Sequence, residues 1–271
     1  MEKLIITVAP TGSLPTKAMN PHVPVTPAEV IKDAYECFKA GASIVHIHGR
    51  DKDQKPTHDV NFFAEVIQGI QSKCNIIIQI STGGRAGQSY ESRSPALALP
   101  GGEMASLSTG SVNFPTSAYV NEPALIEYLA KDMLKNKLKP EVECFDVSMI
   151  NNAVDLMNRG LIEAPLHFNF VMGLKGAIPF SLKNYVHMME SIPAGATWNV
   201  SGVGPAQLSA IAPAIITGGH VRVGLEDNIY YSKGILATNV QLVERVVRLA
   251  KELGRDVATP DEARKILHIS K

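Results

Sequence analysis

Residues 26–51 read "TPAEVIKDAYECFKAGASIVHIHGRD". The first part predicts a helix: Thr26 is a capping residue, Pro27 suits the first helical position, and Gly41 closes the segment. The second part changes period. "SIVHIHG" is a short apolar run that ends in a glycine and charged residues, as a buried strand does. A helix that feeds straight into a strand is half of a βαβ unit, and the same exchange recurs along the chain. The other strand-like runs are "LIITVAP", "NIIIQIST", "MASLSTG", "VECFDVS", "LHFNFVMG", "TWNVSGV" and "VRVGLED". Helical patterns lie between them in "NEPALIEYLAKDMLKNK", "SLKNYVHMMESI", "PAQLSAIAPAIITGG" and "NVQLVERVVRLAKELGR". About eight strands, apparently buried on both faces and alternating with helices, predict a TIM (β/α)8 barrel formed by residues 1–271 as one domain. An open doubly wound sheet is the alternative, weakened by the lack of a glycine fingerprint after the first strand.

The bulk composition agrees. The chain has 271 residues, close to the size of a single α/β barrel, with 45% hydrophobic and 19% charged residues. Twenty-six basic and 26 acidic residues balance, which gives no electrostatic footprint for nucleic acid or an anionic membrane. Cys37, Cys74 and Cys144 are scattered and odd in number, as expected of buried thiols in a reducing compartment. "MEKLIITVAPTG" is not a signal peptide, and no apolar run reaches membrane-spanning length, so a cytoplasmic setting is expected. The loop "TGSLPTKAMNPHVPVTP" after the first strand is long and rich in proline. It reads either as a lid over the barrel mouth or as plain surface covering.

Alternation along "IVHIHGRD" sends His46 and His48 to one side and Ile47 to the other. Barrel active sites lie at the C-terminal ends of strands, which selects a short set of residues. Besides the two histidines, it includes Ser81 and Thr82, Ser106 and Ser108, Glu143 and Asp146, Asn169, Asn199, Ser201, and Arg222, Glu226 and Asp227. Two histidines and one carboxylate suit a divalent cation with positions open to substrate, and Glu226 is the natural third ligand. Arg222 beneath two acids can order them and keep them ionised, or the three can form a structural ion pair. A carboxylate beside a polarised carbonyl compound is placed to take an α-proton, which suits Asp227. "SGVG", with Gly202 and Gly204, precedes a helix and reads as a tight turn or a phosphate site. His22 and His58 read as solvated loop residues, and His167 and His220 as core histidines.

With those residues in place, the chain resembles the β-keto acid cleavage enzymes, the group that includes 3-keto-5-aminohexanoate cleavage enzyme. The matching motifs are "NPHVPVTPAEV", "HIHGRD", "STGG", "EVECFD", "GGHVRVGLEDNIY" and "LGRDVATPDEARKIL", over essentially the whole chain. The resemblance implies a TIM barrel binding a divalent metal, usually zinc, through His46, His48 and Glu226. The ligand set itself suits Zn2+, Fe2+ or Mn2+. It implies condensation of a β-keto acid with acetyl-CoA to give acetoacetate and a new acyl-CoA, with Asp227 as base and Arg222 orienting it. It further implies substrate contacts from Thr82 and Ser106, whose other reading is strand-end capping, and a homo-oligomer, often a tetramer. One departure stands out. Some members carry a glutamate in the first loop where this chain has Leu14. An acid there could hold a cationic substrate tail and Leu14 cannot, although Glu143 remains a possible ammonium partner. A zinc-dependent barrel hydrolase, a metal-dependent aldolase and a non-catalytic metal-binding barrel are the competing readings.

Overall fold

The structure is a computed structural model, and it describes residues 1–84, 88–114 and 117–269. Eight parallel strands form the barrel: β1 (Ile6–Val8), β2 (Ile44–Ile47), β3 (Ile77–Ile80), β4 (Met104–Ser108), β5 (Lys139–Cys144), β6 (His167–Met172), β7 (Thr197–Gly202) and β8 (His220–Val223). Each pairs with its sequence neighbours, and β8 pairs with β1, so the sheet closes. These are the eight runs read from the sequence. The helices are α1 (Pro27–Ala40), α2 (Val60–Gln71), α3 (Pro123–Lys135), α4 (Ser148–Asn158), α5 (Leu182–Ser191), α6 (Ala206–Thr217), α7 (Asn239–Glu252) and α8 (Pro260–Ile266). After β3 the α-helix of the repeat is replaced by a single 3-10 turn, Pro95–Ala98. Among the described residues, no helix is long and apolar enough to cross a membrane.

Local chemistry explains the elements. Thr26 accepts from the Glu29 amide while Glu29 reaches back to the Thr26 amide, a reciprocal cap that starts α1. Gly41, in a left-handed conformation, ends it. Thr238 with Gln241 and Thr259 with Glu262 start α7 and α8 in the same way.

The strands are buried on both faces, but the two faces differ in kind. Val45 and Ile47, Ile78 and Ile80, Leu107, Val142, Phe168 and Phe170 belong to the large apolar core shared with the helices. The alternate positions fill the barrel with buried polar side chains: His46, Gln79, Ser106, Ser108, Glu141, Glu143, His167, Asn169, Asn199 and Arg222. Glu141 is the centre of this column. It accepts from Asn199 Nδ2 at 2.6 Å and Asn169 Nδ2 at 3.2 Å, and it lies 3.4 Å from His167 Nε2. His167 and His220 are core histidines, as the sequence suggests; the Ile5 amide donates to His220 Nδ1 at 3.1 Å. The bottom of the barrel is closed by a separate apolar plug in which Ile5, Ile44, Ile77 and Met104 meet Ala263 and Leu267 of the C-terminal segment.

At the other end, the loop after β1 is a pinned cover. Arg50 donates to the carbonyls of Gly12, Pro15 and Gln54, and Asn20 donates to those of Ile229 and Ala237. Asn239, fully buried at the start of α7, joins the same layer. It accepts from the Leu225 amide and donates to Pro10 O and, at 2.7 Å, to Asp33 of α1.

Burial pushes the Asp33 carboxyl up to about 7 despite the Asn239 hydrogen bond. The folded protein therefore holds a proton there that the unfolded chain, at about 3.9, releases. Stability should fall as pH rises from about 4 to 7, by up to roughly 1.4 kcal/mol for each unit. Asp33→Asn keeps an acceptor for Asn239. Urea denaturation should show that variant flatter across this window and more stable than the native chain at pH 8.

Candidate active site

The residues at the C-terminal ends of the strands converge as alternation predicts. His46 stands opposite Gln79 in the β2–β3 register, and its Nδ1 lies 2.6 Å from Gln79 Oε1. That oxygen holds the imidazole hydrogen on Nδ1 and leaves Nε2 as a lone pair facing the mouth. Burial, with Arg222 and His48 nearby, lowers the His46 pKa to about 3, so the ring is neutral. His48 follows on the same side, with ring centroids 5.0 Å apart. Glu226, beyond β8, reaches toward both: its oxygens lie 3.8 Å from His46 Nε2 and 3.4 Å from His48 Nε2. Gly12 allows that approach, because a Cβ there would come within 2.5 Å of Glu226 Cγ and its φ is +64°.

Arg222 organises the acids. Its Nε and Nη2 grip the two oxygens of Asp227 at 2.9 and 3.0 Å. Nη2 also donates to Glu226 at 2.6 Å, and Nη1 to Glu143 at 3.4 Å. The pKa values of the acids diverge. Burial and the neighbouring Glu226 raise Asp227 to about 6, against the pull of Arg222. Burial also opposes ionisation of Glu226, but Arg222 and the two imidazoles hold it well below the usual carboxylate range. Burial raises Glu143.

His46, His48 and Glu226 offer three ligand atoms within 4.8 Å of one another. His46 Nε2 and Glu226 Oε2 are buried without a hydrogen-bond partner among the described residues. Each such orphan costs about 1–3 kcal/mol, and a cation between them would remove that cost. Charge points the same way, since one guanidinium faces three carboxylates. The donor set and its orphaned atoms fit a divalent ion.

A cavity opens above this floor. Its polar base is His48, Glu143, Arg222, Glu226 and Asp227, and its walls include Leu14, Phe114, Phe145, Val171, Leu174 and Val203. Leu14 is 49% exposed at the rim. Gly83 lines it too, and a Cβ there would press on Ser81 Oγ at 3.3 Å while sitting in ordinary contact with His48 and Tyr119.

Other sequence candidates lie elsewhere. Thr82 and Ser106 face one another: Thr82 Oγ1 donates to Ser106 O at 2.7 Å, and the Thr82 amide donates to Ser106 Oγ at 3.3 Å. This is strand-end capping. Gly204 and Gly202 form a tight turn. The Gly204 amide donates to Asp227 O at 2.7 Å, and a Cβ on Gly202 would lie 2.6 Å from Ala206 O. The Gly204 amide is therefore committed within the fold and does not point at a phosphate. Glu143 has both oxygens engaged, by Ser108 at 2.8 Å and by Arg222, which leaves it a poor partner for an ammonium group. Asp146 is exposed and caps the start of α4. His58 is a correction: it is half-buried in the cavity wall rather than solvated, and burial lowers its pKa to about 4. Sequence reasoning also missed Gln79, Tyr119 and Arg93. A polar residue two before Ser81 in an apolar run could have flagged Gln79. Arg93 lies in a loop, and Tyr119 lies in a two-residue strand, Ala118–Tyr119, paired with Val112–Asn113 outside the barrel, where the barrel period does not apply.

A closed barrel with an arginine-clamped acid pair and two histidines at its C-terminal mouth defines a TIM-barrel enzyme site. The family model for "beta-keto acid cleavage enzyme" matches residues 3–269. A 3-keto-5-aminohexanoate cleavage enzyme of Fusobacterium nucleatum subsp. nucleatum is 49% identical over 275 residues, covering 100% of both chains. A 3-oxoadipate:acetyl-CoA acetyltransferase of Cupriavidus necator is 46% identical, over 97% of this chain and 94% of its own. The solved complex of ObcA with oxaloacetate shares the fold at TM-score 0.79 and 20% identity, over 93% of this chain and 68% of the ObcA chain. The chain belongs to the β-keto acid cleavage enzyme family.

Removing the guanidinium tests the electrostatic reading. Arg222→Met leaves three buried carboxylates uncompensated, which should cost about 3–5 kcal/mol in chelator-stripped protein at pH 7.5. Without Arg222 their folded-state pKa values rise above the unfolded ones, so the loss should shrink as pH falls toward 5. Urea denaturation at both pH values checks size and sign.

Proposed function

We propose that the protein condenses a β-keto acid with acetyl-CoA and releases acetoacetate and a new acyl-CoA. The observation that carries this reading is Asp227, gripped by both arms of Arg222 on the cavity floor beside His46, His48 and Glu226. The family and the names of the two relatives support it. His46, His48 and Glu226 would hold a divalent ion, for which Zn2+, Fe2+ and Mn2+ are the candidates. Such an ion supplies Lewis acidity toward the oxygens of the keto acid.

Asp227, with its pKa raised to about 6, is ionised at neutral pH yet basic enough to take a proton from C2. The C2 carbanion attacks the acetyl thioester carbon, and the CoA thiolate leaves. That thiolate adds to the former keto carbon, the C2–C3 bond breaks, and Asp227 returns its proton to C2. One carboxyl group thus serves both proton transfers. Arg222 fixes its direction and offsets negative charge throughout.

Asp227→Asn keeps the shape and an acceptor for Arg222 but removes the base. Turnover should fall by about 10²–10⁴-fold, while zinc binding, followed by competition with a chromogenic chelator, should persist. Full activity in this variant would refute the assignment.

The cavity walls support an uncharged, apolar substrate tail. Leu14, Phe114, Leu174 and Val203 offer no counter-charge, and Glu143 is already held by Ser108 and Arg222. In a side-by-side assay with acetyl-CoA, straight alkyl β-keto acids should show a higher kcat/KM than amino-bearing ones. A clear preference for the amino substrate would sink this assignment and leave the reaction class untouched.

A further inference from the structure

A chain of hydrogen bonds runs from the charged floor into the cavity wall. Glu143 presents Oε1 to Arg222 and accepts on Oε2 from Ser108 Oγ at 2.8 Å. Ser108 Oγ also meets the Tyr119 hydroxyl at 3.1 Å. That hydroxyl oxygen accepts from Arg93 Nη2 at 3.3 Å. The Tyr119 ring is buried, stacked on Phe114 at 5.2 Å and edge-on to Phe145 at 6.1 Å, so its position is set before any substrate arrives.

Counting hydrogens fixes the direction of this chain. Each hydroxyl carries one hydrogen, and arginine only donates. With Glu143 ionised, Ser108 gives its hydrogen to Glu143, so the Ser108–Tyr119 contact uses the hydrogen of Tyr119. Nothing is left for the cavity. With a proton on Glu143 Oε2 the order reverses: Glu143 donates to Ser108, and Ser108 donates to the Tyr119 oxygen. The Tyr119 hydrogen is then released from Ser108 and can turn about the Cζ–O bond toward the cavity or toward the Asn121 side chain, which also meets that hydroxyl. Burial raises the Glu143 pKa against the pull of Arg222 and Ser108.

The place it would point to is defined by Gly83. The position a Cβ would take there lies 3.7 Å from the Tyr119 hydroxyl oxygen and 3.6 Å from His48 Cε1. The hydroxyl and the histidine therefore flank one small space, left open by a glycine and continuous with the cavity that both line.

We propose that Tyr119 is a further catalytic residue, donating its hydrogen to the oxyanion formed when the C2 carbanion adds to the acetyl thioester, with Ser108 and Glu143 deciding when that hydrogen is free. The inference rests on the reaction proposed above. Atoms and electrons balance without a further reactant. The carbanion pair forms the new C–C bond, the carbonyl π pair moves onto oxygen, and Tyr119 holds that oxygen by a hydrogen bond. On collapse the pair returns, the C–S bond breaks, and Tyr119 keeps its hydrogen.

Tyr119→Phe preserves the aromatic packing and removes only the hydroxyl. It should lower kcat by about 10²–10³-fold, the usual effect of losing one oxyanion donor, with the KM values of both substrates within about twofold of native. Glu143→Gln supplies the second arm. Arg222 can only donate, so the amide oxygen stays on Arg222 and the amide NH2 faces Ser108, locking the chain outward. In the Glu143→Gln background, Tyr119→Phe should therefore cost at least threefold more in kcat than it does in the native chain. A kcat within twofold of native for Tyr119→Phe, or equal costs in the two backgrounds, would overturn the proposal. Absence of turnover by the native chain across a keto-acid panel would instead reject the reaction on which it stands.

Discussion

The site depends on one buried guanidinium. Arg222 is 3% exposed and faces Asp227, Glu226 and Glu143 at once. Only arginine can do this, because its planar fork offers five donors in fixed directions while lysine offers a point charge. Its position is set by the barrel, through pairing with Thr7 of β1 and Ser201 of β7. The strand register thus fixes the cation, and the cation fixes the acids. Yet it cannot balance them: three carboxylates face one guanidinium beside the two imidazoles. Further positive charge would offset that excess, and the orphaned atoms of His46 and Glu226 fit a cation between them.

Filling the barrel with polar side chains carries a cost that the rest of the fold offsets. Buried polar groups are tolerable only when they are hydrogen-bonded. The Glu141 carboxylate meets this with Asn169, Asn199 and His167 stacked across three neighbouring strands, although Asn199 Oδ1 itself has no partner among the described residues. The net stabilisation has to come from the apolar faces turned outward against the helices and from the plug beneath the barrel. The mouth is then rigid without contributing apolar burial of its own. Asn239 shows how that rigidity is achieved: one buried amide holds the Leu225 backbone, the Pro10 carbonyl and α1, just ahead of Glu226 and Asp227.

How much of this can be read from the chain follows from what each feature depends on. The period of two along "IVHIHGRD" is enough to aim His46 and His48 together, because strand geometry leaves no other choice. Arg222 and Glu226 share a parity that carries the arginine into the barrel interior. Barrel closure then brings Glu226 across β1 to the histidines of β2. Those inferences need only local geometry and strand order. Tyr119 and Arg93 needed more. Arg93 takes its place from four contacts, to Thr82, Tyr119, Val120 and Asn121, that exist only once two loops have met. His58 escaped for the same reason, since a loop of polar residues reads as solvated until it folds against a wall. Gly202 and Gly204 failed in the opposite sense. Their pattern fits a phosphate turn, but the Gly204 amide is already used by the Asp227 carbonyl.

The division between strand ends and loops also explains how one chemistry can accept different substrates. The floor is built from β2, β5 and the end of β8, where a change of side chain disturbs the register or leaves a charge buried. The upper wall is built from loop residues such as Leu14, Phe114 and Leu174. Loop positions can change at small cost in stability, because they are outside the barrel ladder. A substrate's reacting carbons therefore meet a fixed arrangement of charges, while its tail meets a surface free to diverge. Two relatives of nearly equal similarity, 49% and 46%, carry the names of an amino-bearing keto acid and a dicarboxylic one. Neither name decides the tail preferred by a chain whose own rim is leucine and phenylalanine. That preference is a property of the wall, where Leu14, Phe114 and Leu174 stand beside Ser13, His58 and Gln88.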